Sequence, residues 1–227
     1  MKNGSVLYIV GIPIGNADDI SLRALEKLKS CDLLLCESRK EASRLFHKLN
    51  ISFPRENWME INEHTQPEEI HEALAKIQAV KQAVLISDSG MPVICDPGAD
   101  LIAHAEKKGI LIQVVPGPTA LTAALALSAV SLNQGFHFLG FPPQKTEKRT
   151  SFFKEANQYS KPVVFYETPY RLKKLLQEIH LHISHKKNLF VAVDATAPTE
   201  YCFRCRIGEI PKWMEKVPKG APVVVVH

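Results

Sequence analysis

Two turn-rich segments carry the residue types from which a ligand site on an α/β scaffold is built. Val10-Gly11-Ile12-Pro13-Ile14-Gly15-Asn16 follows a short apolar run, and glycines at the carboxyl end of a strand let backbone approach a ligand. The spacing is not G-x-G-x-x-G, so the dinucleotide fingerprint is excluded and a tight β-α turn or a ligand loop remains. Ser87-Asp88-Ser89-Gly90-Met91-Pro92-Val93-Ile94-Cys95-Asp96-Pro97-Gly98 holds two aspartates, two prolines and two glycines. That exceeds what a plain connection needs, and loops on rigid scaffolds carry function. Asp88, at a strand end, is read as an acceptor for ligand hydrogen bonds, whereas Asp96 is read as shaping a turn or capping the next helix. Cys202-Phe203-Arg204-Cys205 is half of a structural zinc site or two ordinary strand residues, and no second pair of suitable spacing follows. No metal is expected.

These loops need strands and helices to hold them. Val6 to Val10, Leu33 to Cys36, Val84 to Ser87 and Leu111 to Val115 read as buried strands. Between them, a helix follows Asp18 or Asp19 as cap, with Ile20, Leu22, Leu25 and Leu28 on one face. Further helices are predicted over Glu41 to Leu49, Pro67 to Val80 with Ile70, Leu74 and Ile77 apolar, and Ala99 to Lys108 with Gly109 as stop. Alternating strand and helix argue for an α/β fold with mostly parallel sheets. Pro116-Gly117-Pro118 blocks both helix and ladder, which sets the expected boundary: one lobe over 1–117, a second over 118–227.

Beyond the junction, Thr119 can cap an alanine- and leucine-rich helix to about Val130. Strands are expected near Phe136 to Leu139, Pro162 to Tyr166, Asn188 to Val193 and Ala221 to Val225, with helices over Lys148 to Asn157 and Arg171 to Ile179. Glu200 to Ile207 alternates in polarity, which suits an antiparallel strand in a mixed sheet.

Composition bounds the function classes. The 227 residues are 45% hydrophobic and 23% charged, an ordinary globular balance that argues against disorder, collagen and coiled coil. No run approaches the roughly 18 apolar residues of a membrane span, and Met1 to Gly11 offers no export cleavage site. An odd count of five cysteines suits a reducing cytoplasm better than a disulfide framework. Residues 1–117 carry 13 Lys+Arg against 16 Asp+Glu, and residues 118–227 carry 15 against 8. A basic second half is compatible with a polyanion lying against it.

Five blocks resemble, in order, those of the tetrapyrrole methylase superfamily, in detail closest to its ribosomal RNA small subunit methyltransferase I branch. They are residues 10–16, 87–98, Val115-Pro116-Gly117-Pro118-Thr119-Ala120-Leu121, Gly140-Phe141-Pro142-Pro143, and Val164-Phe165-Tyr166-Glu167-Thr168-Pro169-Tyr170-Arg171-Leu172. The resemblance implies two α/β lobes with S-adenosylmethionine in a cleft between them, a homodimer, and methyl transfer to the ribose 2′-oxygen of a small-subunit rRNA cytidine. Carried over by position, cofactor contacts fall on Pro13, on Asp88, Gly90, Val93 and Ile94, on Thr119 and Ala120, and on Phe165, Tyr166, Ala195 and Thr196. Phe165 and Tyr166 read equally well as strand core.

Methyl transfer from a sulfonium needs positioning more than a metal, and a ribose hydroxyl needs a proton acceptor. Glu37 at the end of the second strand, Glu63 with His64 in Ile61-Asn62-Glu63-His64-Thr65, and Glu167 just after the Phe165-Tyr166 strand end are the candidates; each reads also as a loop carboxylate or cap. Lys145, Arg149 and Arg171 fall where the branch carries basic residues and would neutralise phosphates, or else form a solvated face. Several positions depart from the branch pattern: Ser38 and Lys40 after Glu37, Met91, Gln144, Tyr170, and an end at His227 without the further small basic domain of longer members. They keep two alternatives in view, a methyltransferase for a tetrapyrrole or other small molecule and an inactive RNA-binding homologue.

Overall fold

The computed structural model describes residues 4–227, and the chain divides into two compact units that meet in sequence at Thr119 and Ala120. The first unit is built on five strands, β1 (Val6–Val10), β2 (Leu33–Cys36), β3 (Trp58–Glu60), β4 (Gln82–Ile86) and β5 (Leu111–Val115). They lie in the order β3-β2-β4-β1-β5 with every pairing parallel. Successive side chains of a strand point to opposite faces, so runs without polar interruption require both faces covered. Leu7, Leu35 and Leu85 pack under α3 (Pro67–Ala79) and α4 (Ala99–Lys107), whereas Val10, Leu34 and Val84 pack under α1 (Leu22–Ser30) and α2 (Arg39–Lys48).

Helix caps and starts in the first unit depart in places from expectation. Ser21, not Asp18 or Asp19, caps α1: its Oγ accepts the Ala24 N–H at 3.1 Å, while the aspartates sit in a 3-10 turn capped by Asn16. Ser38 caps α2, which starts at Arg39, two residues before Glu41. Gly98, at φ 116°, takes the N-cap position of α4, so Asp96 does not cap it. The three-residue β3 is too short to leave a periodic signal.

The second unit contains α5 (Ala120–Ser128), β6 (His137–Phe138), α6 (Thr146–Gln158), β7 (Val163–Tyr166), α7 (Leu172–His182), β8 (Asn188–Val193), β9 (Tyr201–Arg206) and β10 (Pro222–Val226). Its sheet is mixed, in the order β6-β7-β10-β8-β9; β6 and β7 are parallel and the other neighbours antiparallel. Val163, Phe165, Val191 and Val224 face α6 and α7. Val164, Phe190, Ala192 and Val225 face α5. Cys205 packs with the first group and Cys202 with the second. The two thiols therefore lie on opposite faces of the sheet and cannot share a zinc ion.

Candidate functional site

In the first unit, pairing of β1 with both β4 and β5 brings three sequence-distant loops to one edge. Gly11 N–H donates to the Val115 carbonyl at 2.9 Å and Ile12 N–H to the Gly90 carbonyl at 2.9 Å. A Cβ on Gly11 would lie 2.6 Å from the Gly117 nitrogen and 2.5 Å from Met91 Sδ, and one on Gly117 would lie 2.6 Å from Gly11 backbone. Both glycines are thus fixed by close approach of backbone to backbone. The loop after β4 is strained: Gly90 (φ 75°), Val93 (φ 75°) and Cys95 (φ 64°) are all left-handed. For β-branched Val93 this costs on the order of 1–3 kcal/mol, a cost that folds retain chiefly at ligand sites.

Carboxylates gather beside these loops. A Glu37 oxygen, at the end of β2, accepts the Asp88 N–H at 3.1 Å. Burial first, then the neighbouring Glu37 and Glu41, pushes the Asp88 carboxyl up to about 6. Asp96 is pushed up to about 7, again by burial and then by Glu37, against a hydrogen bond from Ser87. Carboxyls poised near neutral pH are present in both protonation states, as proton-transfer groups must be. The sequence reads Asp96 as shaping a turn or capping the next helix; its place as the second aspartate of one loop is the available signal for more.

Pro13 and Asp88 line a recess of about 890 Å³ that is continued by α2. Glu63 lines a separate recess of about 310 Å³ with Asp96. His64 does not join it; the Glu63 and His64 side chains are 84% and 85% exposed and touch each other only at 3.6 Å. Ile94 is exposed, and Thr119 is half-buried.

In the second unit the loops after β7 and β8 are equally constrained. Tyr166 N–H donates to the Gly140 carbonyl at 2.9 Å, its ring packs on Phe138 and Phe141, and its hydroxyl accepts the Leu121 N–H at 3.2 Å in the first turn of α5. Ala195 is buried, and Asp194 (φ 49°) and Thr196 (φ 67°) are left-handed. Asp194 accepts the Ala221 N–H at 2.7 Å, and Gly220 has no room for a Cβ, which would fall 2.5 Å from that carboxylate. The Phe165 side chain is fully buried against Phe152 and Phe153, as strand core, which leaves its backbone for a ligand.

Two further expectations are corrected here. Arg149 neither faces phosphate nor forms a solvated surface; it is buried, donating to Glu167 at 2.5 Å, to Glu178 at 2.6 Å, and to the Pro142 and Pro143 carbonyls. Glu167 is buried with it and also accepts the Thr168 N–H at 2.8 Å. Its oxygens are committed within the protein, so it is not the free base of a ribose hydroxyl. The pair instead ties the Gly140 to Pro143 turn to the end of β7, because an ionised group inside a protein must keep its partners. Lys145, just before α6, is exposed, Arg171 is half-buried just before α7, and Tyr170 is 83% exposed with Lys219 Nζ 4.1 Å from its ring centroid.

A family profile described as Tetrapyrrole (Corrin/Porphyrin) Methylases matches residues 6–211. A ribosomal RNA small subunit methyltransferase I of Leptospira borgpetersenii is 36% identical over 97% of this chain and 87% of its own length. The protein of the same name from Thermotoga maritima is 36% identical over 97% of each. Among solved structures, cobalt precorrin-4 methyltransferase, a cobalamin biosynthetic enzyme, superposes with a TM-score of 0.67 at 22% identity over 97% of this chain and 94% of that one. Uroporphyrin-III C-methyltransferase of Thermus thermophilus, complexed with S-adenosyl homocysteine, gives 0.67 at 18% identity over 98% and 97%. The chain belongs to the tetrapyrrole methylase family.

Proposed function

We propose that this chain is an S-adenosylmethionine-dependent methyltransferase that methylates a ribose 2′-hydroxyl in small-subunit ribosomal RNA. Methyl transfer and the cofactor come with the family. The choice of substrate is carried by the 36% identity, over 97% of the chain, to relatives named for the small ribosomal subunit. Likeness to the tetrapyrrole enzymes, at 22% identity or less in the two superpositions above, speaks to the fold alone.

The residues present fit the cofactor. The Gly11–Gly117 approach and the left-handed Val93 make a tight backbone cradle at the strand ends, and Asp88 offers a carboxylate in the lining of the recess beside it. In this reading Pro13, Gly90, Val93, Ile94 and Thr119 contact the cofactor chiefly through backbone, and Asp88 accepts its hydroxyl or amino hydrogens. The second lobe adds Ala120, Tyr166, Ala195, Thr196 and the backbone of Phe165. S-adenosylmethionine supplies a methyl group on a positively charged sulfur, which leaves as a neutral thioether. Glu37 would accept the proton of the ribose hydroxyl, with Asp88 and Asp96 sharing the local negative charge. Lys145 and Arg171 neutralise phosphates.

We also infer a cytoplasmic homodimer. All five cysteines are unpaired, as a reducing compartment favours. Edge strand β5 exposes Leu111 (53%) and Val114 (56%), apolar side chains that a second copy would cover. Sedimentation of Leu111→Glu tests the dimer, and an unchanged mass would remove this support.

The function is tested by incubating the protein with methyl-labelled S-adenosylmethionine and small subunits lacking ribose methylation, with naked rRNA and a tetrapyrrole precursor alongside. Label recovered as a 2′-O-methyl nucleoside is expected. Label on the precursor alone would overturn the substrate, and none anywhere, with cofactor bound, would leave an inactive RNA-binding protein.

A further inference from the structure

The first unit is the acidic half of the chain, with 13 Lys+Arg against 16 Asp+Glu over residues 1–117, yet it gathers cations at one place. The recess of about 890 Å³ that begins at Pro13 and Asp88 is bordered by Arg44, His47 and Lys48 of α2 and by Arg55. All four are exposed. Arg44 is held by Glu41 at 2.6 Å, but among the described residues neither Lys48 nor Arg55 has a carboxylate within ion-pair distance. His47 and Lys48 oppose the partial negative charge at the carboxyl end of α2. That accounts for their helix position, not for Arg55, which stands on the following 3-10 turn (Arg55–Asn57). The volume lies near the upper end of the range of small-ligand sites, and the carboxylates lining the recess are Asp88 and Glu41, the latter paired with Arg44.

The geometry points to this recess as the track of the substrate RNA strand: Lys48 and Arg55, with Arg44 beside them, contact phosphates flanking the methylated nucleotide. The ribose then lies toward the Asp88 and Glu37 end. This deepens the proposed rRNA reading and rests on it. It also relocates part of the phosphate binding that the sequence put on the second half. On a single-stranded segment each phosphate neutralised adds about 0.7 to the steepness of the salt dependence of binding, against about 0.9 on a duplex. Lysine and arginine contacts to phosphate fix register without reading sequence, which assigns Lys48 and Arg55 to affinity and not to catalysis.

The test is binding of full-length protein to small subunits over a range of salt, comparing the unchanged protein, Lys48→Gln/Arg55→Gln, and Lys107→Gln/Lys108→Gln as a charge control. Lys107 and Lys108 are exposed on the same unit, at the end of α4. The recess variant is expected to bind about tenfold or more weakly, with a salt slope shallower by about 1.4. It should raise KM for subunits while leaving kcat and S-adenosylmethionine affinity unchanged. The control should keep both slope and KM. If the unchanged protein binds subunits and the recess variant matches it in slope, the track is overturned and the rRNA reading stands. Equal losses in the two variants would mean long-range charge alone, and overturn the track as well. An unchanged protein that binds no subunits, or binds a tetrapyrrole carboxylate there instead, overturns both readings together.

Discussion

The two lobes treat their motif carboxylates in opposite ways. In the first, Glu37, Asp88 and Asp96 crowd one another beside exposed loops, and the two aspartates are pushed up toward neutrality. In the second, Glu167 is as much part of a characteristic block, yet it is buried and locked by Arg149, which Glu178 holds from the other side. An acidic residue in a signature block is therefore not thereby a chemical group: one lobe has carboxylates that can exchange protons, the other has one that holds a turn in place.

Breaking the locked side should have the largest effect. Arg149→Leu strands two carboxylates in the interior and should cost about 3–5 kcal/mol, read by urea unfolding; a loss below 1 kcal/mol would contradict the lock. Gly117→Ala puts a methyl 2.6 Å from Gly11 backbone and should cost about 1–3 kcal/mol with loss of cofactor binding by calorimetry. On the titrating side, Asp96 has a folded value of about 7 against an ordinary 3.8. The folded state therefore binds more protons between those values, and stability falls as pH rises from about 4 to 7. Asp96→Asn should remove part of that fall, raising stability at pH 8 by about 1–2 kcal/mol after allowance for solvent screening. Thermal melting at pH 5 and pH 8 measures it, and equal pH dependence in the variant would refute it. Glu63→Gln and His64→Ala should sit within about 0.5 kcal/mol and leave transfer rates unchanged, because both side chains stand in solvent.

Most of the framework was legible because its signal is local. Val6–Val10, Leu33–Cys36 and Asn188–Val193 are strands whose apolar runs need covering on both faces, and the structure covers them. Helix starts were less so: Asp18, Asp19 and Ser21 are all good caps, and tertiary packing chooses among them. The site was least legible, since its chemistry depends on distant partners. Arg149 meets its carboxylates 18 and 29 residues away, so nothing near it in sequence marks it as buried. Asp96 owes its shift first to burial and then to Glu37 from a different strand. Phe165 reads identically as cofactor contact and as core until the sheet shows which face it takes.

The contrast between the lobes is tested most directly by pairing Glu37→Gln with Glu167→Gln, scoring methyl transfer to small subunits and unfolding free energy in each. The account predicts that Glu37→Gln folds with its stability intact and loses transfer at least a hundredfold, whereas Glu167→Gln is destabilised and, at a temperature where it is folded, keeps transfer within a few-fold of the parent. A stable Glu167→Gln protein without transfer, beside an active Glu37→Gln, would contradict it.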